Sequence, residues 1–304
     1  MDRRDFVRKM VGASLAAGMG PLLGTSVPLL GRDEEPPIDL VAIRGGEPDI
    51  MFDQGIAALG GMQAFVGRGS TVVVKPSMGW AVPPERAGNA SPRLVARIVE
   101  RCFEAGASKV YVFDHTCDDW KRCYRGSGIE EAASRAGATV VSGDSKSYYH
   151  EVEVPGGRSL RSAMEHELVL ESDVLVNVPI LKSHGGVRLT IAMKNLMGVV
   201  WDRRFWHSND LHQCIADFAA YRRPTLNVVD AYRVMKRNGP RGVSVADVVT
   251  MKAQLISTDI VAVDTAATKL FGMEPSAVRY IPLAADRNVG RMDLENLHIK
   301  RIAV

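Results

Sequence analysis

Short, uninterrupted apolar runs recur along this chain, each stopped by a proline, a glycine or a polar residue. Thr71-Val72-Val73-Val74-Lys75 runs into Pro76, and Lys109 to Asp114, Val174 to Val178, Leu226 to Asp230 and Ala253 to Ser257 repeat the pattern; Ile38 to Arg44 and Thr139-Val140-Val141 read the same way. Runs that are apolar at every position, instead of at alternate ones, belong to strands buried on both faces. Between them lie stretches of helical period. Asp49 to Phe65 reads as a helix with a Gly-rich middle. Ser91-Pro92 supplies an N-cap and an N1 proline to a helix whose apolar stripe is Leu94, Val95, Ile98, Val99 and Phe103, closed by Gly106. Gly128 to Ala136 is a further helix, and Asp259 to Phe271 another, capped by Asp259 or Thr258 and ended by Gly272. The alternation predicts an α/β fold: a mainly parallel sheet with helices on both faces, in three layers. A hairpin around Pro155-Gly156-Gly157 is expected inside the less regular region from Ser142 to Leu170.

The N-terminus reads differently. Arg3 and Arg4 are followed by Phe6 and Val7, then by Arg8 and Lys9, and an uncharged Gly/Ala-rich stretch runs from Met10 to Leu30. This resembles a twin-arginine export signal over residues 1–32, with a linker at 33–37 (Asp33-Glu34-Glu35-Pro36-Pro37) and one domain from residue 38 to 304. The expected place of action is therefore the periplasm or another space outside the cytoplasm, with the twin-arginine translocase as a partner during export; whether the leader is cleaved or kept as an anchor stays open. The formal net charge of +3 belongs to this leader, since from residue 33 onward 33 basic and 33 acidic residues balance. No electrostatic case for nucleic acid survives.

The four cysteines, Cys102, Cys117, Cys123 and Cys214, contain no Cys-x-x-Cys pair. Ferredoxin-type ligation needs several thiolates at short spacing, so no iron–sulfur cluster is expected. Cys117 and Cys123 are candidates for a disulfide in an oxidising compartment. Neither a Walker loop nor a Gly-x-Gly-x-x-Gly turn after a strand is present, which disfavours the two common nucleotide-binding modes.

In parallel α/β sheets ligands bind beyond the carboxyl ends of the strands. Lys75-Pro76-Ser77, Asp114-His115-Thr116, Asn177 and Asp230 all stand at such ends. The densest constellation is VLVNVPILKSHGGVRLTIAMKNLMG, Val174 to Gly198, read as a strand, then a loop bearing Lys182, Ser183 and His184, then a segment bearing Thr190, Lys194 and Asn195. Lysines act as point charges toward an anion, Gly185 and Gly186 allow close backbone approach, and Thr190 and Asn195 add neutral donors. Lys182, His184, Lys194 and Asp114 are the candidate catalytic residues; Lys75, Ser77, Asn177, Thr190, Asn195, Asp230 and Asp264 are the candidate ligand-binding residues. Three lysines in one cleft need counter-charges, and Asp114, Asp230 and Asp264 are the candidates. His115, beside a strand-ending carboxylate, is the candidate metal ligand or base, and His207 with His212 a weaker metal pair. Trp201, Phe205 and Trp206 are expected to form an aromatic wall or lid over the lysines.

The string NVPILKSHGGVRLTIAMKNLMG resembles the signature of the family called domain of unknown function 362: a strand, Lys-x-His, Thr, then Lys-Asn and Gly. VVVKPS (Ser77 standing where Asn is usual), the strand ending in Asp114, Val228 to Ala231, NGPRG at 238–242 and Ser257 to Gly272 extend it over nearly all of 38–302. The resemblance implies no activity. Many members carry an added ferredoxin-type cluster domain, and this chain lacks its cysteine runs.

Two readings of function follow. One is an exported enzyme or cofactor-dependent protein holding a small phosphate- or carboxylate-bearing ligand, with its cofactor unknown. The alternative is a non-catalytic accessory or maturation partner of a redox enzyme. A weaker third reading is an analogy, by residue type only, to racemases that carry a nickel-containing nucleotide on Lys and His.

Overall fold

The computed structural model describes residues 36–304; the segment expected to be a twin-arginine leader and most of the expected linker lie outside the described residues. The chain runs β1 (Leu40–Arg44), α1 (Pro48–Ala58), β2 (Thr71–Pro76), α2 (Pro92–Glu104), β3 (Lys109–Val112), α3 (Trp120–Gly126), α4 (Ile129–Arg135), β4 (Thr139–Val140), β5 (Tyr149–Glu153), β6 (Ser162–His166) and α5 (Glu167–Glu171). It continues through β7 (Val174–Val178), β8 (Ile180–His184), β9 (Arg188–Thr190), α6 (Ala192–Asn195), α7 (Arg203–Ser208), α8 (Leu211–Tyr221), β10 (Leu226–Met235), β11 (Val248–Ser257), α9 (Ile260–Phe271), α10 (Tyr280–Ala285) and β12 (Ile299–Ala303).

Ten of these strands form one sheet in the order β12-β1-β11-β10-β7-β2-β3-β4, with β8 alongside β10 and β9 alongside β8. The pairings from β10 through β7, β2, β3 to β4 are parallel, as is β1 with β12; β11 lies antiparallel between β1 and β10. The sheet is therefore mixed and mostly parallel. Side-chain parity splits its core in two. Val72, Val74, Val110, Val112, Val174 and Val176 face α1, α2 and α4, while Val73, Phe113, Leu175, Val229 and Leu255 face α6, α8, α9 and α10. Helices cover both faces, giving the three layers that continuous apolar strands require.

Local signals behave as their chemistry dictates at most ends. Pro92 opens α2, and Gly272, at φ 90°, closes α9 beneath its Asp259 cap, whose carboxylate accepts from Val261 N and Ala262 N. The Pro155-Gly156 hairpin forms, as the two-stranded β5-β6 ribbon. Three features depart from the sequence reading. The segment bearing Lys182, Ser183 and His184 is a strand, β8, which turns at Gly185-Gly186 and pairs antiparallel with β9. The β10 and β11 runs extend to ten residues each, their outer halves pairing with one another beyond a register shift between Ala231 and Arg233. Ser91 sits at the N-cap of α2 without a side-chain cap bond; its backbone N–H donates instead to Asp230 at 2.6 Å. Among the described residues no helix is long and apolar enough to cross a membrane.

Candidate functional site

The site is built where β2, β3, β7 and β8 end. Lys75 and Asn177 are register partners on β2 and β7, and Asn177 is in turn the partner of Asn227 on β10, so three polar side chains lie in a row on one face of the sheet. Asn177 Nδ2 donates to Asn227 Oδ1 at 3.0 Å and to Ala192 O at 3.0 Å, and its Oδ1 accepts from Asn195 Nδ2 at 2.8 Å. The sheet thereby grips α6 by its first and last residues. From the other side, Asp264 accepts from Ala192 N at 2.7 Å and Met193 N at 3.1 Å, so a carboxyl group of α9 caps the short helix that carries Lys194 and Asn195.

Lys75 is 1% exposed and fully engaged. Its Nζ donates to Asn195 O and Asn195 Oδ1, both at 2.7 Å, and lies 3.0 Å from Asp114 Oδ1. Burial draws its pKa below the ordinary lysine value while Asp114 opposes the fall. Ser77 Oγ donates to the same Asn195 Oδ1 at 2.9 Å and accepts from Ile180 N. Asp114's second oxygen accepts from Met78 N at 2.8 Å.

The β8-β9 hairpin supplies the next wall. Alternation along β8 puts Lys182 and His184 on one side, and the register sets Thr190 opposite Lys182. Lys182, 3% exposed, donates to Gly88 O at 2.6 Å, with its Nζ 5.8 Å from the centre of the Trp80 ring. Burial lowers its pKa to about 7, with Lys194 and Lys75 adding to the fall against Cys117 and Asp114. Lys194 is brought to about 8 by burial, with Arg203 and Lys75 adding to the effect. His184 Nδ1 accepts from Gly186 N at 3.0 Å, which places the ring proton on Nε2; burial and the two lysines push its pKa to about 3, so the ring is neutral.

Together these residues line a cavity of about 440 Å³ with Trp80, His115, Cys117, Met197, Gly198, Arg203, Arg204, His207 and Pro240. Five basic side chains, Lys75, Lys182, Lys194, Arg203 and Arg204, face it against a single carboxylate, Asp114. The Thr190 hydroxyl is buried there without a hydrogen-bond partner among the described residues.

Several expectations change. Asp230 and Asp264 do not line the cavity. Asp230 is on the opposite face of β10, where it accepts from Ser91 N and Tyr232 N, and Asp264 spends both oxygens on α6. Of the three proposed counter-charges only Asp114 meets a lysine. Asn177 lies behind Asn195 as a brace. His115 lines the cavity, donates from Nδ1 to Val200 O at 2.8 Å and stacks on Trp201 at 4.9 Å, leaving Nε2 with a lone pair. Asp114, its neighbour in sequence, is committed to Lys75 and Met78, and no three His, Cys, Asp or Glu side chains converge as a metal-holding group among the described residues. His207 lines the cavity while His212 lies against Tyr280, so this pair diverges.

The aromatic wall of Trp201, Phe205 and Trp206 is also rearranged. Trp206 is buried against Phe218, Phe205 is exposed, and α7 turns Arg203, Arg204 and His207 to the cavity instead. His207 stands four residues after Arg203 and three after Arg204, so it neighbours both on the helix surface. Arg203 is held by His115 O at 2.9 Å and Thr116 O at 2.5 Å. Cys123 is buried and Cys117 exposed on the cavity lining, both as free thiols. Trp80 and Asn227 escaped the sequence reading; a lone Asn inside the apolar run LNVV was the available signal for the latter.

The fold and the cavity define an α/β protein with a cationic, ligand-sized site at its strand ends. The chain belongs to the family described as Domain of unknown function (DUF362), which it matches over residues 72–269. It is 26% identical over 250 residues to the thylakoid-associated protein sll1697 of Synechocystis sp. (strain ATCC 27184 / PCC 6803 / Kazusa), covering 76% of this chain and 72% of that one. It is also similar, with a TM-score of 0.47 and 12% identity, to the lactate racemase apoprotein from Thermoanaerobacterium thermosaccharolyticum, over 77% of this chain and 57% of that one.

Proposed function

We propose that this protein binds a small organic anion, carrying a phosphate or carboxylate group, in the cavity between Lys182, His184, Thr190, Lys194 and Arg204, and that Lys182 and Lys194 exchange protons with that ligand. One observation carries the reading: five basic side chains, of which Lys75, Lys194, Arg203 and Arg204 are held as cations, converge on one cavity with one carboxylate, and that carboxylate is already bound to Lys75 and Met78 N. A concentration of like charge in a partly sealed space is unfavourable unless a ligand of opposite sign offsets it. The Lys194 side chain has no hydrogen bond or ion pair among the described residues, and the Thr190 hydroxyl that lines the same cavity is unpartnered, so the donors not used by the fold are the ones that face the cavity. A volume of about 440 Å³ suits a metabolite-sized ligand. Lysines titrating near neutrality are suited to general acid–base work.

The test is calorimetric titration of the purified chain with inorganic phosphate and short mono- and dicarboxylates, beside Lys194→Ala and Arg204→Ala variants. Saturable binding that weakens at least tenfold in both variants, with melting temperature retained, supports the reading. Affinity unchanged in both variants sinks it. Export belongs to the same proposal: replacing Arg3 and Arg4 with lysine is expected to leave the chain in the cytoplasmic fraction, and unaltered fractionation overturns that part.

A further inference from the structure

The cavity holds three lysines in three different states of engagement, and the difference separates their chemistry. Lys75 has three acceptors, one of them a carboxylate 3.0 Å away, and is a fixed cation. Lys194 sits on α6 without a protein partner among the described residues and faces the cavity half-buried. Lys182 is sealed, 3% exposed, between the β8 backbone and the Trp80 ring, and its one acceptor is the uncharged Gly88 carbonyl at 2.6 Å. An amine with one neutral acceptor, no carboxylate in contact and two cationic neighbours is favoured unprotonated, with one N–H spent on Gly88 O and its lone pair left for the cavity. Its lowered pKa agrees.

We infer that Lys182 is a nucleophilic amine, and that the ligand class of this cavity is an anion bearing an aldehyde or ketone carbonyl, which Lys182 captures as a Schiff base. This rests on the anion-binding reading above for the non-reacting end of the ligand. The division of labour follows from placement: Lys194 and Arg204 hold the phosphate or carboxylate, and the Thr190 hydroxyl, opposite Lys182 in the hairpin register, donates to the carbonyl oxygen. The Lys182 Nζ lone pair forms the N–C bond as the carbonyl π pair moves to oxygen. A proton passes from nitrogen to that oxygen, giving a carbinolamine. Protonation of its hydroxyl by the Lys194 ammonium releases water as the nitrogen pair forms C=N, and loss of the remaining N–H proton returns Lys194 to its charged form. Carbonyl plus amine gives imine plus water, with no change in oxidation level and no further reactant.

The experiment traps the imine. The full chain is incubated at pH 7 with sodium cyanoborohydride and, in separate arms, pyruvate, glycolaldehyde phosphate or the uncharged carbonyl acetone, and the modified peptide is located by mass spectrometry. A single reduced adduct on Lys182, formed at least a hundredfold faster than on surface lysines and absent from folded Lys182→Met, is expected; the carboxylate and phosphate arms identify which anion is preferred. No adduct in either anionic arm, or label spread over surface lysines or placed on Lys194, overturns the inference. The two readings fail separately. Phosphate binding without any adduct removes the Schiff base and leaves the anion site; an adduct on Lys182 formed equally fast with acetone and unprotected by phosphate leaves the nucleophile and removes the anion site.

Discussion

Lys75, on β2, and Asp114, two residues past the end of the neighbouring parallel strand β3, meet 3.0 Å apart at the floor of the cavity with 1% and 5% of their side chains exposed. Removing one partner of such a pair strands a charge out of water, which costs about 3–5 kcal/mol, whereas removing both together costs much less. Asp114→Asn is therefore expected to destabilise the fold by several kcal/mol in urea unfolding, and Lys75→Met/Asp114→Asn to recover at least half of the loss. A double variant no more stable than the single one would show that the pair contributes through its other hydrogen bonds and not through charge balance.

Gly198 covers this pair. A Cβ built there would overlap Asp114 Oδ1 and Lys75 Nζ and fall 2.5 Å from Lys75 Cε, and the Gly198 carbonyl accepts from His115 N at 2.9 Å. Gly198→Ala should thus cost roughly 1–3 kcal/mol as an overpacked core does, and should weaken ligand binding by pushing Lys75 aside. A variant with wild-type melting temperature would mean that the loop after α6 shifts freely, contrary to this packing.

Ligand binding should depend on pH through Lys182 and Lys194, whose pKa values are about 7 and about 8. Lys194 holds the anion in its charged form, and the charge that Lys182 gains at lower pH adds to the attraction, so the affinity for a short carboxylate, whose own charge is constant over this range, is expected to be highest below pH 7 and to fall at least tenfold between pH 6.5 and 9. His184, near 3, stays neutral across this range and adds no change. Flat affinity from pH 6.5 to 9 in calorimetry would contradict the assignment.

Asp264 makes a prediction about stability. Burial raises its carboxyl to about 8 from the ordinary 3.8, against the N–H groups of Met193 and Ala192, so the folded chain holds a proton there that the unfolded chain has lost. Its stabilising contribution is full below about pH 4 and is lost as pH rises through about 8. Asp264→Asn keeps one acceptor oxygen for α6 and should cost about 1–3 kcal/mol at pH 5. The gap between wild type and variant should narrow at pH 8.5. A gap that widens with pH would show the carboxylate to be ionised at its helix terminus.

Much of the architecture was legible in local chemistry. The strands Thr71 to Pro76 and Val174 to Val178 are apolar at nearly every position because both faces are covered, and Pro92 and Gly272 mark helix ends by their own backbone preferences. Lys75, Asp114, Lys182, His184, Thr190, Lys194 and Asn195 do come together in one cavity, as strand-end positions in a parallel sheet tend to do. The β8 strand was less legible. Lys182-Ser183-His184 has the polarity of a loop, and only the pairing with β9 and the long reach of β10 gives its backbone partners.

The sequence by itself determined the layers, the helix ends marked by Pro92 and Gly272, and the residue types at the strand tips, because these follow from short-range periodicity and backbone preference. Tertiary structure decided which charge faces which. Asp230 and Asp264 differ from Asp114 in nothing that a one-dimensional pattern displays, yet strand parity sends Asp230 to the far face, and the crossing of α9 over α6 turns Asp264 onto backbone N–H groups. In the same way three lysines of one composition become a paired cation, an open cation and a sealed amine. Their acceptors, Asp114 for one and Gly88 for another, lie 39 and 94 residues away along the chain and are brought near only by the sheet.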